Sequence, residues 1–299
     1  MRKQARHRRA NSEKRKAKIR TTSGRRTVMS QKPSARVEKI PAQRQASILE
    51  ILREQGAVSI QMLSDQLGAS FSTVRRDLDH LTEKGYIDRH HGGAVIRREP
   101  AARFEPEASI RAETCKAQKD AIGALAATRV SDGQSVIFDS SSTVTAVARH
   151  LVERGTAITA VTNDLKTALT LTMSSRIQMI LSGGTVTPGG RTLIGRPGEA
   201  FLSDIHADIA FIGVHTVSGS IFTETSLETA AMKQRMIAAA RKVIVVADFS
   251  KFGPPSFCTI CPVAAVDELI TDRGTGNDRI AEIERAGTLC SVAPPLGPS

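Results

Sequence analysis

Between residues 41 and 96, apolar positions recur three times in succession at helical spacing. Ile48, Leu49 and Leu52 fit one face of a helix that Gly56 ends. Val58 makes a short extended entry, and Ser59 caps a second helix carrying Met62, Leu63 and Leu67. Gly68-Ala69-Ser70 reads as a turn, with Gly68 past the helix end and Ser70 as the next N-cap. In the third helix Val74, Leu78 and Leu81 recur at i, i+4 and i+7 as the buried stripe. Ser72, Arg76 and Asp79 lie opposite that stripe, with Thr73 and Arg75 on its flanks. Gly85 to Arg89 leaves the helix for a strand, His90-His91-Gly92-Gly93 turns, and Ala94-Val95-Ile96 returns as a β-hairpin wing.

Two short helices joined by a tight turn, here about residues 58–77, form a helix-turn-helix. Its second helix meets the major groove with its N-terminal residues foremost. Ser70, Ser72, Thr73, Arg75 and Arg76 all stand at that end of the third helix. A guanidinium there can bridge guanine O6 and N7 or clamp phosphate oxygens. Arg89, His90 and His91 at the edge of the wing suit phosphate contact. Metal binding by His90 and His91 is not expected, because adjacent strand residues point to opposite faces. Taken alone, the helical pattern also fits a three-helix bundle with a solvated charged face.

Residues 97–115 contain Pro100 and Pro106 and read as a linker. From residue 116 to 290 short apolar runs alternate with amphipathic stretches. Strands are predicted at 135–138, 157–162, 177–181, 209–214, 243–247 and 268–271. Helices are predicted at 119–128, 143–151, 165–171, 227–240 and 278–286. This alternation predicts a mostly parallel sheet covered on both faces, with ligands at the carboxyl ends of its strands. Four of those ends are polar: Asp139-Ser140-Ser141-Ser142-Thr143, Thr162-Asn163-Asp164, Ser182-Gly183-Gly184 and Asp248-Phe249-Ser250-Lys251. The first precedes a helix and offers hydroxyls and free N–H groups to an anion. Each alone is more often a simple N-cap or loop, but four at one sheet edge predict a pocket. The run from Gly184 to Thr192 is not a nucleotide-binding P-loop, since Gly190 stands where the lysine belongs and no helix is predicted to follow.

Residues 44–95 closely resemble the winged helix-turn-helix of the DeoR/GlpR family of bacterial transcriptional regulators. That family's Val-Ser-x-x-Thr-Ile-Arg-Arg-Asp-Leu stands here as Ala69-Ser70-Phe71-Ser72-Thr73-Val74-Arg75-Arg76-Asp77-Leu78. Its Arg-x-His-Gly-Gly-Ala is Arg89-His90-His91-Gly92-Gly93-Ala94. From about Lys119 to Asp272 the chain resembles the effector domain of the same family. The segments that carry this likeness include Asp139 to Thr143, Asp208 to Gly213, Lys233 to Ile237 and Ala247 to Gly253. The resemblance implies an α/β fold like that of sugar-phosphate isomerases and coenzyme A transferases. It implies a repressor of a sugar or carbon operon, relieved or armed by a phosphorylated sugar. Asp139, Ser140, Ser141, Ser142, Thr143, Asn163, Gly183 and Gly184 would hold that effector, with Lys251 as countercharge. Two departures bear on the effector's identity: Ser141 stands where the family has Gly, and Val214-His-Thr-Val-Ser218 replaces a Gly-containing stretch.

The chain has 299 residues, enough for two domains, and a net charge of +12. Residues 1–40 hold 15 Lys and Arg against Glu13 and Glu38, a net +13, so the rest carries 27 basic and 28 acidic residues. The basic character therefore belongs to a tail of disordered composition, and not to a folded domain. That tail either grips nucleic acid without sequence preference or is an idiosyncratic extension, with Met29 as an alternative start. Among four cysteines, Cys258 and Cys261 form a lone C-x-x-C without a second pair, which reads as two reduced thiols. No cofactor, metal, membrane span or secretion signal is expected, and the location expected is the cytoplasm. The expected partners are double-stranded operator DNA, the phosphorylated sugar and further copies of the chain, as a dimer or tetramer. The rival reading is a sugar-phosphate isomerase or deaminase with an accessory DNA-binding domain. Asp139, Glu224, Glu228 and Asp248 would be its carboxylates, but their spacing singles out no acid/base pair.

Overall fold

A computed structural model describes residues 39–90, 92–97, 107–187 and 190–296. The sequence expectations for the basic tail and for His91 fall almost wholly outside these residues.

The first module runs α1 (Pro41–Gln55), β1 (Ala57–Ser59), α2 (Ile60–Leu67), α3 (Phe71–Glu83), β2 (Ile87–His90) and β3 (Gly93–Ile96). Ser59 and Ser70 cap α2 and α3 by accepting from the backbone N–H of Met62 and Thr73, and Gly68 closes α2 in the left-handed region. Val74, Leu78 and Leu81 are fully buried, together with Ile48, Leu49, Leu52 and Leu63. Met62, placed on the apolar face of α2 by its spacing, is instead 43% exposed, and Ile60 takes the inner position. The three strands form one antiparallel sheet in the order β1-β3-β2. Asp77, inside the Arg-Arg-Asp-Leu run, turns inward, where the Arg44 guanidinium and Gln45 Nε2 of α1 both reach its carboxylate. The same run thus sends its arginines out and its acid in.

The stretch read as a linker is partly built structure. Ala108–Glu113 forms α4, and its Ile110 is buried in the core of the winged module. A six-residue helix has too few positions to show a period, and Pro100 and Pro106 ahead of it point to irregular chain.

The larger unit continues with α5 (Lys116–Ala127), β4 (Ser135–Phe138), α6 (Ser142–Arg154), β5 (Ile158–Thr162), α7 (Leu165–Leu171) and β6 (Ile177–Leu181). A small hairpin, β7 (Thr185–Val186) with β8 (Leu193–Ile194), precedes α8 (Gly198–Ser203) and β9 (Ala207–Gly213). Then come β10 (Thr216–Ser218), β11 (Ile221–Glu224), α9 (Leu227–Ala238), β12 (Ala240–Val246), β13 (Cys258–Pro262), β14 (Glu268–Asp272), α10 (Asn277–Arg285) and β15 (Leu289–Ala293). Seven strands make one sheet, β15-β14-β12-β9-β4-β5-β6, and every pairing in it is parallel. One face is covered by Ile122 and Ala126 of α5 and Val144, Val147 and Leu151 of α6. The other is covered by Leu202 of α8, Met232 and Met236 of α9 and Ile283 of α10. Both faces being dry explains why the strands read as near-continuous apolar runs.

The chain leaves β4 toward β5 and β6, then returns to place β9 on β4's other side. Strand order therefore reverses between β4 and β9, and a crevice opens there beyond the carboxyl ends. A separate antiparallel sheet, β10-β11-β13, packs Val217, Phe222 and Ile260 into the second face and brings the end of β11 toward that crevice.

Candidate functional site

The exposed face of α3 is the first candidate site. Ser72, Arg75 and Arg76 are exposed and, with Ser70, Phe71 and Asp79, bound an open surface groove. Thr73 is half-buried. The Ser70 hydroxyl is already engaged: it accepts from Thr73 N–H at 3.2 Å and lies 2.9 Å from Ser72 Oγ and 2.8 Å from Thr73 Oγ1. Its place is that of a cap that shapes the helix start. Arg89, expected to face phosphate, bends back to Asp79 of α3 at 3.6 Å and is half-buried. It ties the wing to the helix, while His90 stays exposed at the hairpin end. His91 lies outside the described residues.

The second candidate site is the crevice at β4 and β9. The polar loop after β4 turns directly into α6: Ser141 accepts from Thr143 N–H at 3.2 Å as its cap. Ser141 has extended backbone (φ −139, ψ 142), which any residue adopts, so the exchange from glycine costs the loop no strain. Opposite, Gly213 ends β9 so close that a Cβ there would stand 2.3 Å from Ser141 Cβ. Asp139 is fully buried beneath this loop. One of its oxygens accepts from Gly213 N–H at 3.0 Å and meets the Lys233 ammonium of α9, which also donates to Gly213 O at 2.8 Å. Glu224 of β11 lies 3.5 Å from the same ammonium.

Above this base lies a cavity of about 460 Å³. Ser140, Ser141 and Ser142 form its floor, with Asp164 and Lys166 from the start of α7, Arg191 from the β7–β8 hairpin, Glu224 from β11 and Arg111 from α4. A connected recess of about 40 Å³ adds Thr143, His215, Lys233 and Lys251. Asp164 and Glu224 are already hydrogen-bonded, Asp164 to Thr167 N–H at 2.8 Å and Glu224 to Thr225 N–H at 2.9 Å. Hydroxyls, helix-start N–H groups and basic side chains on several walls give a cavity matched to a hydroxylated anion.

Of the residues expected at the effector site, Ser140, Ser141, Ser142, Thr143 and Lys251 line this space. Asp139 and Asn163 do not: both are buried, Asp139 against Lys233 and Asn163 with its amide donating to Leu193 O at 3.1 Å. Gly183 and Gly184 also stand aside. A Cβ on Gly184 would lie 2.7 Å from Ile194 O, and one on Gly183 3.3 Å from Pro197 Cγ, so these glycines let the chain around β8 and the start of α8 pack close. Arg111, Arg191 and Lys233 were not expected here, because each comes from a segment that only the long-range topology brings to the crevice; Lys166 follows closely on the polar end at 162–164, and Glu224 enters the sequence reading only as a carboxylate of the enzyme alternative.

Behind the recess, Lys119 of α5 is buried and donates to Arg111 O at 2.5 Å and Thr114 O at 2.7 Å. Burial lowers its pKa to about 8, against the opposing pull of the buried Asp248. Asp248 itself is held below the ordinary carboxylate range: burial alone would raise it, but Lys119, Lys251 and the Ser250 hydroxyl and N–H outweigh that. On β13 the half-buried Cys258 donates its S–H to Glu224 O at 3.2 Å, and Cys261, also half-buried, stands outside any disulfide. Among the described residues there is no cluster of metal-ligating side chains, and no helix is long and apolar enough to cross a membrane.

A model of the DeoR C-terminal sensor domain matches residues 114–273, and one of the DeoR-like helix-turn-helix domain matches residues 44–99. The HTH-type transcriptional regulator GlpR of Haloferax volcanii is 35% identical over 257 residues, covering 83% of this chain and 96% of that protein. The glycerol-3-phosphate regulon repressor of Escherichia coli is 30% identical over 231 residues, covering 77% and 90%. Among solved structures, ribose 5-phosphate isomerase A of Methanocaldococcus jannaschii aligns with a TM-score of 0.34 at 17% identity, over 45% of this chain and 53% of that one.

Proposed function

This chain belongs to the DeoR family of transcriptional regulators, and from that premise we propose that α3 reads operator DNA while a phosphorylated sugar or similar phosphate ester occupies the crevice cavity. The chain is a DNA-binding regulator of transcription, and the relatives above are named as a regulator and a repressor. The enzyme alternative is therefore not favoured, and fold likeness alone would be a weak warrant for chemistry.

The observation that carries the reading is the split within one short helix. Val74, Leu78 and Leu81 are fully buried while Ser72, Arg75 and Arg76 stand exposed on the far side. That leaves the α3 face open for a major groove, with Arg76 to a base edge or phosphate and His90 to the backbone. In the cavity the phosphate sits on Ser140–Ser142 at the start of α6, and Arg111, Lys166, Arg191 and Lys251 supply countercharge. Control follows from linkage: an effector with unequal affinity for DNA-competent and incompetent states shifts the population by that difference. The regulator acts in the cytoplasm as a repressor of a sugar or carbon operon. It binds as a homo-oligomer, whose symmetry matches paired half-sites.

A thermal-shift screen of the intact chain against glycerol 3-phosphate, hexose phosphates and the corresponding free sugars tests the cavity assignment, since a ligand of the native state raises apparent stability by mass action. Stabilisation by one or more phosphate esters and none by the free sugars is the expected result. Equal shifts with the free sugars, or none with any ester, would remove the phosphate from the reading.

A further inference from the structure

We infer that the effector cavity is shared between the two modules: Arg111 reaches it from a helix embedded in the winged module, and an anion acts on that module through Arg111. The inference rests on the cavity reading above and names how the site is regulated.

Helix α4 has two commitments. Toward the winged module, Ile110 is 1% exposed and packs in the core with Leu49 and Leu52. Just ahead of the helix, Glu107 N–H donates to Tyr86 Oη at 2.6 Å, and the Glu107 carboxylate meets Lys84 at 2.9 Å and His80 at 3.5 Å. Just behind it, Cys115 N–H donates to Glu50 Oε1 of α1 at 2.7 Å. Both ends and the middle of α4 are therefore fixed to α1, α3 and the approach to the wing.

Toward the effector unit, the same six residues form a wall. Ala108, Arg111 and Ala112 line the main cavity, and Arg111 lines the recess as well. Arg111 O accepts from Lys119 Nζ of α5 and lies 3.5 Å from Ser142 Oγ, which belongs to the phosphate-binding floor. A helix of this length has little stability of its own, so its position is set by the contacts on its two sides. An anion bridging the Ser140–Ser142 loop and the Arg111 guanidinium adds a third constraint on one side. Among the described residues, α4 and the Cys115–Glu50 contact just behind it carry that constraint to the winged module, because Ile110 cannot shift without disturbing the core that positions α3. Coupling is reciprocal, so bound DNA must change anion affinity by the same factor.

The test uses the intact chain, a duplex selected by it, and glycerol 3-phosphate, fructose 6-phosphate and inorganic phosphate as probes. In the parent, the probe that stabilises the protein should change duplex affinity by roughly five-fold or more, the lower range of coupling between sites. Arg111→Ala, titrated with the probe to saturation, should show a coupling factor that falls toward one, and Arg111→Lys should restore part of it. Should Arg111→Ala fail to fold, hydrogen exchange on the parent serves instead: the probe should protect amides at 108–116 and 84–90 as well as those at 140–145. Full coupling in Arg111→Ala, or protection confined to 140–145, would overturn the inference and leave the cavity reading intact. If none of the three probes binds the parent, the cavity reading fails and this inference falls with it.

Discussion

Lys233 and Asp139 form a buried ion pair that joins α9 to the loop after β4, at the point where strand order reverses. Each partner is further engaged by Gly213, through its carbonyl and its N–H respectively. The pair therefore fixes the distance between β4 and β9, and with it the seat of the Ser140–Ser142 loop. Removing one member leaves the other charge buried alone. Lys233→Met should cost about 3–5 kcal/mol in chemical denaturation. The double variant Lys233→Met, Asp139→Asn should recover part of that loss.

Gly213 should tolerate no side chain. Its Cβ would collide with both Ser141 Cβ and Oγ at 2.3 Å. Gly213→Ala should lower stability by about 1–3 kcal/mol, the usual range for overpacking. It should also abolish stabilisation by phosphate esters, because the displaced loop is the cavity floor. A calorimetric titration of the folded variant reads this directly.

Ser70 and Ser72 should separate by readout. Ser70 caps α3, so Ser70→Ala should cost about 1 kcal/mol of stability. Ser72 is exposed on the α3 face, and Ser72→Ala should change stability by no more than about 0.5 kcal/mol while weakening duplex binding. Denaturation midpoints and a binding titration on the same two proteins check both halves.

The winged module was legible because its determinants are local. Ser59, Gly68 and Ser70 mark helix ends within a few residues of the stripe they bound, and the wing closes on itself. The core of the α/β unit was legible too, since β4 and β6 follow from predominantly apolar runs and α7 from one amphipathic period. Strand β15 was missed because Leu289 to Ala293 forms a sheet edge with mixed exposure and no clean alternation. Strands β10, β11 and β13 were missed because their short antiparallel sheet has an irregular register, shifting between Phe222 and Thr223. The site was half legible. Ser140 to Ser142 announce themselves at the junction of a buried strand and a helix. Nothing local places β9 beside β4, or brings Arg111, Arg191 and Glu224 to that junction, because those are consequences of the order of the strands.

The thiols give a pH-dependent prediction. Burial pushes Cys115 up to about 12, Cys261 up to about 11 and Cys290 up to about 11. In the folded chain these groups keep their protons at pH 8, so they should resist a thiol reagent until the chain unfolds. The sign for stability follows from linkage. Between about pH 9 and pH 12 the unfolded chain has lost the Cys115 proton and the native chain retains it, so the stabilising contribution, complete below pH 9, falls as pH rises. Mass mapping of labelled cysteines at pH 8, with and without denaturant, checks the reactivity. Early labelling of native Cys115 would contradict it.

Arg75 and Arg76 carry the DNA-binding account, and each is expected to contribute about 1–3 kcal/mol if it meets a base edge. A phosphate contact would instead show as a salt slope smaller by about one. The most direct test is selection of duplexes from a randomised pool by the intact parent and by the Arg75→Ala, Arg76→Ala double variant. The parent should enrich a defined sequence and the double variant should enrich none, while both keep the same thermal stabilisation by a phosphate ester. Enrichment of the same sequence by both proteins would contradict the assignment of α3 as the reading helix.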